Sequence, residues 1–480
     1  MYKNYICAFL AALLLLSAAG CGSDNAETDG ETGETTPVTE TVAETEPERQ
    51  PYIEKTDYGG ASFHILSMNH LGKDYFVDEL TGDAMNDAVF ERTAMTEEYL
   101  GVKITYDNSV PVQDMASKLK AAATAGDDAY QFALLHAMES VNAAVSEGLL
   151  LDWNTIASVD MSREYWNHNI VKELELYGKN YIVRSDYMLS NPLVVFVNNR
   201  MIADNQLDNP YTLVREGRWD LDTMVSMAET VMQDINGDGV MDEKDVYGYA
   251  TMTDWQLTGY LYAGGMTVCT HDGDNLVIAL NNEKTINYCQ KVYDFLHAPS
   301  TFGFAMRGNV YMDIASDRCL FNTGNIDNML YYRDSEVEIG ILPYPKYDAA
   351  QERYMQYDLG GLMCMPMMVK EREMAGQVVE MLSYYSMETT VPAYYTVLFG
   401  EKLARDVDSV EMLSIVFDNI VYDAGMNYFG LGTHYGFKMV YLLMNLCNAQ
   451  SFDFASYYAK NAPGFEKEIA KFMEKVQALP

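Results

Sequence analysis

Positive charge is scarce in this chain. Lys and Arg number 32 against 70 Asp and Glu in 480 residues, a formal net charge of −38. A surface this acidic repels phosphate backbones and anionic head groups, which excludes nucleic-acid binding. Cysteine is sparse as well, seven in all: Cys7 and Cys21 in the N-terminal segment, then only Cys269, Cys289, Cys319, Cys364 and Cys447. No two are spaced C-x-x-C and no His stands at ligand spacing from them, so neither a zinc ribbon nor a redox pair is present. Their neighbours are apolar, as in Leu362-Met363-Cys364-Met365-Pro366, which is the setting of core thiols. The sequence leaves a Cys269–Cys289 bridge open. Absent too are a G-x-S-x-G nucleophile elbow, an H-E-x-x-H pair and a P-loop. Chance carboxylate pairs are abundant in so acidic a chain, so no acid–base dyad can be read from it. Phe is half as common as Tyr, 18 against 36. Tyr offers an apolar face with a hydroxyl at its edge, which suits sugar faces and wet surfaces.

What is present defines a secreted globular protein. At 49% hydrophobic and 21% charged, the chain can bury a core. Its length exceeds the usual reach of one core, so two lobes are expected. Residues 1–20 read as a signal peptide, with Lys3 in a short n-region and an apolar stretch from Ile6 to Leu16. That stretch is too short for a permanent membrane helix. Ser17-Ala18-Ala19-Gly20-Cys21 resembles a bacterial lipobox, in which the Cys is lipidated. Residues 21–57 then form an acidic tether, rich in Glu, Thr, Ala and Pro and too poor in apolar residues to fold. The expected location is the outer face of a bacterial cell membrane, with the lipid anchor at Cys21. The 31 Met residues read as core filler, and no internal repeat is visible.

From Ala61 strands and helices alternate. Strands are expected at 61–67, 102–106 and 132–135, with helices at 83–100 and 112–125 ended by Gly101 and Gly126. That order makes an α/β lobe. Strand candidates 181–184 and 193–198 follow, then a middle region with fewer strands and helices at 221–233, 283–297 and 326–332. Strands at 337–342 and 361–366 and a helix at 371–386 lead into a helical last hundred residues, closing with a helix over 465–479.

One local motif stands out. From Asp234 to Asp245 the chain reads DINGDGVMDEKD, which places oxygen ligands at Asp234, Asn236, Asp238, Asp242 and Asp245 and a backbone carbonyl at Val240. Alternate residues of a tight loop point inward, and Gly239 supplies the sharp turn. The spacing predicts a structural calcium ion. The flanks, a helix before and strand-like Val246–Thr251 after, are not those of a helix–loop–helix pair, and a polar turn held by Asx bonds is the competing reading.

The order of several weaker motifs is more specific than any one of them. These are Gly59-Gly60-Ala61-Ser62-Phe63-His64-Ile65-Leu66, Asn86-Asp87-Ala88-Val89-Phe90-Glu91-Arg92, and Tyr-Leu-Gly-Val-Lys-Ile at 99–104. They continue with Gly217-Arg218-Trp219-Asp220, Tyr247-Gly248, Gly340-Ile341-Leu342-Pro343-Tyr344-Pro345-Lys346 and Gly360-Gly361. With the lipobox and tether, the chain resembles the extracellular solute-binding proteins of ABC importers, the broad group that includes maltose-binding protein. The resemblance covers nearly all of the mature chain. It implies an α/β, two-lobe clamp joined by hinge strands, with residues 58–185 plus 360–405 in one lobe and 186–359 plus 406–480 in the other. It further implies a monomer, an oligosaccharide ligand, docking to importer permease subunits and no catalytic residues; a peptide or other solute as the ligand, a surface glycan adhesin and a secreted carbohydrate-active enzyme are the competing readings.

Ligands of open α/β sheets bind beyond the carboxyl ends of the strands, at the switch in strand order. That rule selects Met68, Asn69 and His70 after the first strand, and His136 and Glu139 after the third. It also selects Ser190 and Asn191 beside the hinge, Trp255 and Tyr260 after Val246–Thr251, Asn325 and Asp327 after Phe321, and Gly360 and Gly361, where backbone approaches closely. Sugars need stacking faces and planar polar groups, and these positions offer both. Trp153, Trp166 and Trp219 are expected in the core or on a lobe surface, Trp166 with a route to the cleft.

Overall fold

The computed structural model describes residues 50–69, 75–136, 139–251, 254–303, 312–332, 334–358, 360–403, 407–430 and 439–480. The signal segment, Cys21, residues 22–49 of the tether and His70 lie outside the described residues. No described helix is long and apolar enough to cross a membrane.

The first lobe grows from strand β1 (Ala61–Met68), the helix Ala84–Leu100, β2 (Val102–Val110), the helix Met115–Ala125 and β3 (Phe132–His136). Asp83 starts the first helix by accepting the amides of Met85 and Asn86, both at 3.0 Å, a standard N-cap. Gly101 ends it at φ 59°, and a Cβ there would stand 2.0 Å from an Asp57 carboxylate oxygen, so only glycine fits. β1 runs parallel to both β2 and β3.

The second lobe contains β4 (Leu193–Asn198), β5 (Tyr247–Thr251), the β6 (Cys269–Asp272) and β7 (Asn275–Ile278) hairpin, β8 (Thr301–Phe302), β9 (Cys319–Asn325) and β10 (Ile339–Leu342). Strand order in its sheet is β10-β4-β9-β5-β8. β9 is parallel to β5 and antiparallel to β4. The middle region is therefore richer in strands than its sequence suggests. β9 escapes a pattern reading because Asn322, Thr323, Gly324 and Asn325 look like a loop. In the fold Asn322 and Thr323 are fully buried and bonded: Asn322 Nδ2 donates to the Met312 carbonyl at 3.0 Å and Thr323 Oγ1 to Gln256 Oε1 at 3.2 Å.

The chain returns through β11 (Gln356–Tyr357) to β12 (Gly361–Cys364), which completes the first sheet in the order β12-β3-β1-β2. Helices Arg372–Glu388 and Thr390–Leu403 pack on Ala84–Leu100. The helix Val407–Asp418 packs instead on β10, where Ser409 Oγ accepts the Ile341 amide at 3.0 Å. β13 (Ile420–Val421) then pairs with β11. The last helix, Phe454–Gln477, begins earlier than expected and runs through Pro463. The expected helix at 326–332 is a 3-10 turn over Ile326–Leu330, and the expected strand at 181–184 reduces to a Val183–Met363 bridge.

Trp153, Trp166 and Trp219 are all core residues. The five described cysteines are buried, and Cys269 and Cys289 are thiols that form no bridge. Burial pushes the Cys289 thiol up to about 12, which leaves it unreactive.

Candidate functional site

The carboxyl edges of both sheets adjoin the same pair of crossovers. In the first lobe β3 ends at His136, opposite Gly361. In the second β9 ends at Asn325, opposite Leu193. Between them run the segment from Arg184 to Pro192 and the segment from Gln356 to Gly361, bridged at Pro192–Asp358. The opening between the two lobes therefore lies along these segments, at the place the strand-order rule selects.

Two residues the sequence reading did not name hold this junction. Arg184 and Asp358 form an ion pair at 2.9 Å with side chains only 2% and 0% exposed. Arg184 also donates to the Leu189 carbonyl at 3.2 Å. The second Asp358 oxygen accepts the Asn191 amide at 3.1 Å. Asn191 passes the contact on: its carbonyl accepts from Asn325 Nδ2 at 3.0 Å, and its Oδ1 accepts the Asp327 amide at 3.2 Å. The Asn191, Asn325 and Asp327 positions are thus one bonded unit. Gly360 belongs to it sterically, since a Cβ there would meet the Arg184 guanidinium at 2.6 Å. The only outward hint in the sequence is an Arg inside the apolar run Tyr181-Ile182-Val183-Arg184.

The other expected residues are distributed as follows. Met68 is buried at the end of β1, and Asn69 is exposed beyond it with its amide bonded to the Val110 carbonyl at 3.0 Å. His136 and Glu139 are half-buried, joined by a Glu139 amide to His136 carbonyl bond of 3.3 Å. Ser190 is buried, and its carbonyl accepts from the Tyr394 hydroxyl at 3.2 Å. Trp255 is half-buried, edge-on to Tyr357 at 6.1 Å. Its turn is fixed by Gln256, whose carbonyl accepts from the Tyr344 hydroxyl at 3.0 Å. Tyr260 corrects the expectation. It is fully buried between Tyr249 and Tyr344 rings at 6.3 and 4.9 Å, because the helix Leu257–Ala263 turns it into the core. Burial raises the Asp327 carboxyl above its ordinary range, against the lowering pull of its Asn191 and backbone hydrogen bonds.

The Asp-rich loop is closed at its base by paired Gln233 and Val246 backbones, both bonds 3.0 Å. Asp234 accepts the amides of Gly237 and Gly239 at 2.7 and 2.8 Å. Asn236 accepts that of Asp238, Asp238 that of Val240, and Asp242 that of Lys244. Asp245 accepts those of Ile235 and Asp242 at 3.0 and 2.8 Å. Among the described residues no three His, Cys, Asp or Glu side chains gather closely enough to hold a metal ion. The amide bonds leave lone pairs on the same oxygens, so the donor chemistry still suits a hard cation.

The architecture is that of the two-lobe solute-binding proteins of ABC transporters. A sugar transporter protein from Rhizobium etli in an open conformation superposes with a TM-score of 0.59 at 12% identity, over 88% of this chain and 100% of that one. An ABC substrate-binding protein from Listeria monocytogenes in complex with cycloalternan gives 0.57 at 12% identity, over 86% and 99%. The galacto-N-biose/lacto-N-biose I-binding protein of the ABC transporter from Bifidobacterium longum, in complex with lacto-N-biose, gives 0.57 at 13%, over 87% and 98%. No protein-family model and no curated protein sequence matches this chain. At these identities the likeness establishes the fold.

Proposed function

We propose that this chain is an extracellular solute-binding protein that captures an oligosaccharide and hands it to the permease subunits of an ABC importer. The observation that carries the reading is the bonded Asn191–Asn325–Asp327 unit at the mouth between two α/β lobes, with Trp255 half-buried after β5. Amide and carboxylate groups match the in-plane hydroxyls of a sugar, and the indole matches its C–H face. The superposed proteins with cycloalternan and lacto-N-biose support an oligosaccharide as the ligand class. Ligand contacts to both lobes would shift an open–closed equilibrium towards the closed clamp.

The same reading places residues 58–185 plus 360–405 in one lobe and 186–359 plus 406–480 in the other, as a monomer. It locates the protein on the outer face of the membrane through a lipid at Cys21, and seats a structural calcium ion in the loop Asp234–Asp245. A thermal-shift screen against an oligosaccharide panel, with product analysis of every hit, tests the function. A shift with intact sugar is expected, since ligand stabilises only the state that binds it. Cleavage of the sugar would replace binding with catalysis. Mass analysis of membrane-extracted protein checks acylation at Cys21, and a melting temperature that calcium fails to raise would remove the ion.

A further inference from the structure

A second opening lies at the lobe junction, beside the bonded unit at the mouth, with Arg184 in the wall of the one and the anchor of the other. It is a pocket of about 200 Å³ between the crossover from Arg184 to Ser190, the start of the helix His168–Glu173 and the end of the helix Val407–Asp418. Trp166, Met188 and Phe417 give it apolar and aromatic walls, Asn169 and Asp418 a polar rim, and Asp186 its buried acid. Asp186 is only 7% exposed, and its Oδ2 has no hydrogen-bond partner. Its polar neighbours are committed elsewhere. Arg184 is held by Asp358 and the Leu189 carbonyl, Ser185 by Ser383 at 2.7 Å, and Asn169 by the Ile420 carbonyl at 3.3 Å.

A buried carboxyl oxygen without a donor costs free energy that a positively charged donor would recover. We propose that this pocket is a binding site for a small primary ammonium compound, its N–H groups on Asp186 and its alkyl chain against Trp166 and Phe417. An organic ammonium suits the site better than a metal ion. It needs one carboxylate and aromatic faces, whereas a hard cation needs several oxygen ligands, and among the described residues no three acidic, His or Cys side chains converge here. Asp418 at the rim and the −38 net charge draw cations in. Burial, with a smaller push from Glu164, raises the Asp186 carboxyl to about 8.

The proposal is independent of the sugar reading. A ligand-observed NMR titration of the full chain compares butylammonium with its neutral analogue 1-butanol. Butylammonium should bind at least about tenfold more tightly. Asp186→Asn should abolish the preference, as should Asn169→Trp, which fills the rim from an exposed position without touching the core. Oligosaccharide binding, measured on the same samples, should persist in both variants. Equal binding of the two probes, tighter binding of 1-butanol, or an ammonium preference that survives Asp186→Asn would overturn the assignment.

Discussion

Two buried carboxyls share Trp166 as a neighbour and differ in everything that follows from it. Glu380, 1% exposed, is fully provided for. The Trp166 indole donates to it at 3.1 Å, the Asp160 amide at 2.7 Å and Arg163 at 2.7 Å, and the Tyr165 hydroxyl makes a further short bond. Asp186, which lines a pocket together with the indole, keeps an oxygen without a donor. Desolvation penalises both groups. A completed donor set turns that penalty into a structural clasp, and an incomplete one leaves a site that a ligand can complete. Asp423 and Asp358 belong with Glu380. Asp423 accepts the amides of Val268, Cys269 and Gly425 and the Tyr262 hydroxyl, and Asp358 has Arg184 and the Asn191 amide.

The comparison breaks first at Glu380. Glu380→Ala removes the acceptor of Arg163, the buried indole N–H and the Asp160 amide, and should cost roughly 3–5 kcal/mol in denaturant unfolding; a loss under about 1 kcal/mol would mean the clasp is not structural. Asp358→Ala should cost about 3 kcal/mol by the same logic. It should also weaken oligosaccharide binding, because the Asn191 unit loses its anchor, a second effect that Glu380→Ala lacks.

Asp186→Asn should act in the opposite direction. The native acid holds its proton up to about 8, whereas the unfolded chain ionises near pH 4. Between those values the native state binds more protons, so wild-type stability falls as pH rises. The Asn variant escapes this. It should be more stable than wild type by roughly 2–3 kcal/mol at pH 8, with the gain vanishing towards pH 4. Melting curves at the two pH values check it, and a pH-independent difference would contradict it. The smallest effect is expected at Asp327, which is half-buried: Asp327→Asn should leave stability within about 0.5 kcal/mol while lowering oligosaccharide affinity about tenfold by calorimetry.

Much of the first lobe was legible in the sequence because its signals are local. Asp83 and Gly101 cap one helix, and β1, β2 and β3 are apolar runs at βαβ spacing. β9 was not legible, since its buried Asn322 and Thr323 find partners only in tertiary structure. The strand-end rule led to Asn191, Asn325, Asp327 and Gly360, but not to Arg184 and Asp358, which are 174 positions apart and carry no local pattern. It placed Tyr260 at the opening because counting from a strand end does not say which way a helix turns. Asp186 gave no sign either, because an orphaned oxygen is a fact of packing and not of sequence.

The central claim is a clamp that closes on an oligosaccharide held at the Asn191–Asn325–Asp327 unit. Small-angle scattering of the full chain, with and without an oligosaccharide that binds intact, tests it most directly, with Trp255→Ala alongside. The account predicts a smaller radius of gyration on binding in the wild type and a response displaced to higher ligand concentration in the variant. A bound sugar that leaves the wild-type profile unchanged would contradict it.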